Sequence, residues 1–324
     1  MSESICFVKD WAVECQKICD SIRQIVYEFL KRDGVVIGLS GGIDSSVTAA
    51  LCVRALGKDK VLGVVLPEKE SSKESEPYAV KLAETLGINY VKKDITPILE
   101  QFGVYEKIEE IVKKYHPGFN ESFKYKIVLP GMLDKSILNL YSLSVVDSSG
   151  NEVLRKKLPF HDYKAFQAAL SIKLRVRMIN LYYYSEKNNM AVAGTTNRSE
   201  FDLGNFCKYG DGGIDFEVIS HLYKTQVYDL AKYLKIPEEI QQRTPSPDTC
   251  SAYVSDEEFF FSLPFDILDR LLYAHAKNFS AAKTAKIVGM EEKQVAAIFA
   301  NFQNKKNNTM HIKMLPPACG SMEL

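Results

Sequence analysis

With 324 residues, 46 % of them hydrophobic and 25 % charged, the chain has the make-up of a globular protein with one large or two small domains. Lys plus Arg equal Asp plus Glu at 41 each, which argues against a polyanion-binding surface spread over the whole molecule, though not against a local basic site. No run approaches the roughly 20 apolar residues that span a membrane, and Met1 to Lys9 carries charge without a long apolar core, so neither membrane insertion nor a secretory leader is expected.

Residues 8–32 read as a helix, with Val8, Trp11, Ala12, Cys15, Ile18, Cys19, Ile22, Ile25, Val26 and Phe29 at helical spacing, stopped by Asp33-Gly34. Cys15 and Cys19 lie four apart and could share a metal, but small buried hydrophobes are the expected reading. The other cysteines are Cys6, Cys52, Cys207, Cys250 and Cys319. Their odd total of seven, without a Cys-x-x-Cys pair, fits reduced thiols in a cytoplasmic protein.

Next comes Val35-Val36-Ile37-Gly38-Leu39-Ser40-Gly41-Gly42-Ile43-Asp44-Ser45-Ser46. The β-branched run reads as a buried parallel strand, and Asp44 to Leu56 as a helix. A glycine turn between strand and helix is how α/β proteins hold phosphate: the backbone approaches closely, and free N–H groups of the first helical turn point at the anion. No Gly-Lys-Ser/Thr closes a Walker A loop, and the dinucleotide Gly-x-Gly-x-x-Gly is absent. Ser-Gly-Gly-x-Asp-Ser instead resembles the signature of the ATP pyrophosphatases, which split ATP into AMP and pyrophosphate.

Strands are expected at 61–66 and 88–91, and helices at 74–86, 95–102 and 105–115. This alternation predicts an α/β fold with a doubly wound parallel sheet and flanking helices, its ligands at the carboxyl ends of the strands. Residues 119–160 break the rhythm. Runs at 138–146 and 152–158 flank Asp147-Ser148-Ser149-Gly150-Asn151, a hairpin signal within an insertion. The rhythm resumes with a helix at 161–184, a strand at 190–193 and a helix at 222–235. Helices at 256–275 (broken by Pro264), 280–287 and 291–303 complete a helical C-terminal part, 245–324, with 304–324 read as a tail. The whole reads as one domain carrying the insertion.

A second constellation follows the strand at 190–193. Gly194-Thr195-Thr196-Asn197-Arg198-Ser199-Glu200 precedes Lys208-Tyr209-Gly210-Asp211-Gly212-Gly213-Ile214-Asp215. The glycines let backbone approach a ligand. Asp44 and Glu200 form a candidate Mg²⁺ pair if the fold brings both strand ends to one crevice, because Mg²⁺ is usually held by one or two carboxylates plus phosphate oxygens.

These blocks, with Leu222-Tyr223-Lys224-Thr225-Gln226, Lys173-Leu174-Arg175-Val176-Arg177-Met178 and Asp256-Glu257-Glu258 followed by Phe265 and Asp269, resemble the NAD synthetase family of the short, ammonia-using type. The resemblance covers most of 20–118 and 160–317. It implies that the carboxylate of deamido-NAD attacks the α-phosphate of ATP, and that ammonia then displaces AMP. It assigns Ser40, Gly41, Gly42, Ser45, Ser46, Thr195, Lys224 and Ser246 to ATP and pyrophosphate. Asp44 and Glu200 would hold Mg²⁺, Lys208 would place charge near the phosphates or acyl group, and Asp211 would accept a proton from ammonia. Ser171, Arg175, Asp215, His311 and Lys313 fall to the acceptor. A homodimer is implied, and neither nucleic acid nor membrane is an expected partner.

Several features depart from the family pattern. Leu170-Ser171 stands where Gly-Asn is usual, Ile312 replaces a lysine and Lys313 an arginine, a Pro-Thr-Ala-x-Leu-like loop reads Pro245-Ser246-Pro247-Asp248-Thr249, and the 119–160 connection is also longer than usual. The ATP half therefore matches more closely than the acceptor half. The alternatives are a diverged ligase amidating another carboxylate and, more distantly, an RNA-modifying ATP pyrophosphatase, whose basic face or cysteine pairs the sequence lacks.

Overall fold

A computed structural model describes residues 8, 10–129 and 141–317. Cys6, Cys319 and positions 138–140 of the expected hairpin lie outside them. Helix α1 (Trp11–Arg23) starts at Asp10, whose carboxylate accepts from the N–H groups of Ala12 and Val13, and continues into a π-helical turn, Gln24–Phe29. Then follow β1 (Val35–Gly38), α2 (Ile43–Leu56), β2 (Val61–Val65), α3 (Ser75–Leu86), β3 (Asn89–Lys92), α4 (Thr96–Gln101) and α5 (Val104–Tyr115). The insertion supplies β4 (Lys124–Val128), β5 (Ser142–Val146) and β6 (Glu152–Lys157). After it come α6 (Phe160–Asn188), β7 (Ala191–Gly194), α7 (Arg198–Leu203), β8 (Phe216–Glu217), α8 (Lys224–Tyr233), α9 (Glu238–Gln242), α10 (Phe265–Ala276), α11 (Ala281–Val288) and α12 (Glu292–Lys313).

Five strands form one parallel sheet in the order β3-β2-β1-β7-β8. Its alternating side chains separate two apolar layers. Val35, Ile37, Ala191 and Ala193 pack among α1, α2 and α8, whereas Val36, Val64 and Val192 pack with α5 and α6. Both faces are covered, as a parallel sheet requires. A third cluster, built from Leu268, Leu271, Val295, Ile298 and Phe302, holds the C-terminal helices together. Strand order reverses between β1 and β7, which opens a crevice at their carboxyl ends. Both motif-bearing loops emerge there.

The expected hairpin is present as β5–β6. Asp147 Oδ1 accepts from the N–H groups of Ser149 and Asn151, closing the turn. A third strand, β4, pairs with β5 and makes a three-stranded antiparallel sheet. Its sequence, Lys-Tyr-Lys-Ile-Val, alternates, but the neighbouring β5 run is far away along the chain. The expected tail is corrected over its first half: α12 runs on to Lys313, anchored by Lys305 Nζ donating to the Phe260 carbonyl at 2.8 Å. Polar composition hid this continuation because its helix packs through few apolar residues.

Candidate active site

The loop after β1 is shaped by its own glycines and hydroxyls. Gly41 has φ +71°, and a Cβ there would press into the carbonyl of Ser75. Gly42 N donates to Ser40 Oγ at 3.2 Å, and Ser45 Oγ donates to Gly42 O at 3.0 Å. Ser40, Gly42 and Ser45 line a cleft of about 450 Å³. Ser46 does not line it; its buried hydroxyl is committed to Gly42 O at 2.8 Å and serves the loop.

Asp44 stands on the first turn of α2 and meets residues from across the crevice. Lys224 Nζ donates to Asp44 Oδ2, and Asn197 Nδ2 donates to Asp44 Oδ1 at 2.9 Å. Asn197 also caps α7: its Oδ1 accepts from Glu200 N at 3.1 Å, while Glu200 Oε2 accepts from Asn197 N at 3.1 Å. One capping box thus fixes Glu200 beside Asp44. Asp269 on α10 aligns the two helix starts, accepting from Ser199 Oγ at 2.6 Å and Thr225 N at 2.8 Å.

The electrostatics of this cluster are unusual. Burial, followed by the Asp44 charge, holds the Glu200 carboxyl well above its ordinary range. Burial also raises Asp256, to about 6, although Lys224 pulls the other way. Lys224 is itself buried; burial disfavours its charge, but Asp44, Glu200 and Asp256 outweigh this and raise its pKa. One cation thus serves three carboxylates, and the cluster invites further positive charge. Among the described residues, no group of three or more His, Cys, Asp or Glu is arranged to hold a metal. Asp44 and Glu200 nevertheless offer hard oxygen donors of the kind Mg²⁺ takes, with anionic ligand oxygens completing its shell.

Thr195, Asp211, Ser171 and Ser246 also line the cleft. Asp211 Oδ1 accepts from Cys207 N at 2.7 Å. Burial is the largest influence on its carboxyl and pushes it up to about 6, although the residue as a whole stays exposed and cleft water moderates the rise. A second cavity of about 210 Å³ adjoins, sharing Ser40, Ser45, Thr195 and Asp211 and walled by Val64, Leu66, Met178 and Leu181. A polar cleft and an apolar cavity therefore flank one glycine loop.

Other expected residues stand outside the two cavities. Lys208 Nζ donates to the carbonyls of His311 (3.0 Å) and Met314 (3.4 Å), capping α12. Lys313 Nζ donates to Asp202 O at 3.1 Å, and His311 Nδ1 is 3.1 Å from Asn308 O. Asp215 is tied to the sheet, accepting from Val192 N at 2.7 Å and Tyr182 OH at 3.1 Å. Arg175 is exposed on α6, with Nε 3.3 Å from Lys208 O. Gly41 shapes the loop without lining the cleft.

Four residues at or beside the site, Asn197, Asp256, Glu217 and Arg243, were given no individual role from the sequence. Asn197 carried a signal in the Asn-x-x-Glu capping pattern. Glu217 Oε2 is buried without a hydrogen-bond partner among the described residues, and burial pushes this carboxyl up to about 7. Arg243 begins a strap, residues 243–256, that crosses the cleft. Its Nη2 donates to Ser75 Oγ at 2.7 Å and its Nη1 to Ser40 O at 3.4 Å. Among the described residues it makes no ion pair, so a full positive charge faces the glycine loop with only neutral partners.

The sequence profile of the NAD synthase family matches residues 14–118 and 151–311. The chain belongs to the NAD synthase family. The match leaves out 119–150, which contains β4 and β5. An NH3-dependent NAD(+) synthetase of Mesorhizobium japonicum is 40 % identical over 307 residues, covering 95 % of this chain and 96 % of the relative. One from Methanocaldococcus jannaschii is 32 % identical over 310 residues, covering 95 % and 98 %. Among solved structures, the NH3-dependent NAD synthetase of Campylobacter jejuni superposes with a TM-score of 0.63 at 25 % identity, covering 96 % and 99 %. An NMN synthetase from Francisella tularensis (TM-score 0.66, 21 % identity, 97 % and 100 % covered) shows the shared fold alone.

Proposed function

We propose that this member of the NAD synthase family is an ammonia-dependent amide ligase that converts deamido-NAD to NAD in the cytoplasm, releasing AMP and pyrophosphate. The observation that carries the reading is the Asp44–Lys224–Asn197–Glu200 cluster, set against the glycine loop where strand order reverses. Adenosine fits the apolar cavity, with its triphosphate along Ser40, Gly42 and Ser45 in the polar cleft. Asp44 and Glu200 would hold Mg²⁺ together with phosphate oxygens, and the ion would supply charge neutralisation at the phosphates.

The residues divide the work. The substrate carboxylate forms a bond to the α-phosphorus, and the bond to the leaving pyrophosphate breaks in line. Ser40, Ser45 and Lys224 bind the anion that departs. Thr195 contacts the nucleotide at the seam of the two cavities. Ammonia then attacks the acyl carbon, AMP leaves, and Asp211 takes up a proton from the attacking nitrogen. A carboxyl raised toward 6 is still ionised at neutral pH and is a better base than an ordinary aspartate. Ser171 faces the acceptor, and Ser246 faces the ATP phosphates.

The exposed stripe of Arg175, Ile179 and Tyr183 on α6 supports a homodimer. Pairing through α6 would give Arg175, which serves no ligand within its own cleft, an acceptor to meet in the neighbouring subunit. Size-exclusion chromatography with light scattering tests the dimer. A coupled assay with ATP, ammonium and deamido-NAD tests the reaction. AMP release only with another carboxylic acid would replace deamido-NAD as the acceptor.

A further inference from the structure

Lys173 on α6 is fully buried and lines neither cavity. Its Nζ donates to Glu68 Oε1 at 2.8 Å, Glu70 Oε2 at 2.6 Å and the Thr249 carbonyl at 3.0 Å. Tyr105 OH donates to Glu68 Oε2 at 2.8 Å, and Tyr125 OH to Glu70 Oε2 at 2.6 Å. Glu68 and Glu70 belong to the β2–α3 connection, Tyr125 to β4 and Thr249 to the strap. The ammonium of α6 therefore joins the β2–α3 connection and the strap directly, and β4 through Glu70.

The same strap is bound along β4. Tyr125 N donates to Ser251 Oγ at 2.9 Å, Ala252 N to Tyr125 O at 2.9 Å, and Leu129 N to Glu258 O just past the strap at 2.8 Å. Asp248, at the strap's centre, accepts from Ser72 N and Ser75 Oγ, both at 2.7 Å. Most of β4's sheet lies in the segment that the family profile omits. An ammonium has three N–H donors and no other way to be satisfied in a dry interior. Lifting the strap removes the Thr249 carbonyl and leaves a buried charge one bond short, which is costly. The network therefore favours one height of the strap above the cleft.

We propose that Lys173 is a positioning residue that seats the 243–256 strap over the ATP cleft, and that the inserted sheet takes part through Tyr125. The plainer reading is a buried ion network that stabilises the fold and nothing more. The two separate in Tyr125→Phe, which removes one hydroxyl and keeps the Lys173 ion pairs. Tyr115→Phe is the comparison: it removes a similar bond, Tyr115 OH to Asp162 Oδ2 at 2.5 Å, between α5 and α6 and away from the strap.

Limited trypsinolysis after Arg243, under native conditions, reads strap opening. Cleavage is expected to accelerate about tenfold in Tyr125→Phe and less than twofold in Tyr115→Phe. Added ATP should slow it in the unmodified protein, and the KM for ATP should rise several-fold in Tyr125→Phe with kcat within twofold. Equal cleavage rates in the two variants would overturn the proposal, as would faster cleavage with an unmoved KM. The cleavage comparison needs no turnover, so failure of the proposed reaction would be seen separately.

Discussion

Asp256→Asn tests the electrostatic frustration of the site. Asp256 is 6 % exposed, and its carboxyl is raised from the ordinary 3.8 to about 6. A carboxyl raised by folding binds its proton more tightly in the folded state. It therefore costs nothing below pH 3, and its cost grows as pH rises through 3.8 and is complete above 6. At about 1.4 kcal/mol per pH unit, the penalty at pH 7.5 is about 3 kcal/mol, an upper figure because Lys224 shares the site. Asparagine keeps the shape and loses the charge. For a chain of this length, about 3 kcal/mol corresponds to a rise in melting temperature of about 4 °C. Differential scanning fluorimetry without ligands, at pH 7.5 and 4.5, is the assay. The gain should shrink to roughly one third at pH 4.5, where the wild-type carboxyl is already mostly protonated in the folded protein. An equal gain at both pH values, or a loss at pH 7.5, would refute the reasoning.

Asp44→Asn should lower AMP formation roughly a thousandfold, while circular dichroism stays unchanged because Lys224 keeps Glu200 and Asp256 as neighbours. Arg243→Met removes the cation facing the glycine loop; the KM for ATP should rise about tenfold or more, with a smaller change in kcat in steady-state assays. Gly194→Ala places a Cβ 2.5 Å from Glu217 Oε2 and 2.9 Å from the Ile214 side chain, and should cost about 1–3 kcal/mol in urea unfolding.

The sheet and the phosphate loop were legible because their signals are local. Val35-Val36-Ile37 is apolar on both faces, and Ser40–Ser46 carries its own turn chemistry. The pairing of Asp44 with Glu200 was legible only as a condition on strand order, which the reversal between β1 and β7 meets. What stayed hidden depends on contacts distant in sequence. Arg243 reaches Ser40 and Ser75 across the cleft, and Lys173 finds Glu68 and Thr249 through the fold. Asp256 was read as part of a motif, but its raised carboxyl arises from burial near Lys224 and Asp44, which no local pattern encodes. Lys208 and Lys313 were read as ligand-facing cations, yet within the chain their ammonium groups satisfy carbonyls at and near α12 and α7.

The most direct test of the central claim follows one oxygen atom. Deamido-NAD carrying ¹⁸O in its nicotinate carboxylate is incubated with ATP, ammonium, Mg²⁺ and the protein, and the products are read by ³¹P NMR and mass spectrometry. Attack of the carboxylate on the α-phosphorus should move one ¹⁸O into AMP for each NAD formed, with unlabelled pyrophosphate. Label in inorganic phosphate, ADP as the nucleotide product, or unlabelled AMP would contradict it.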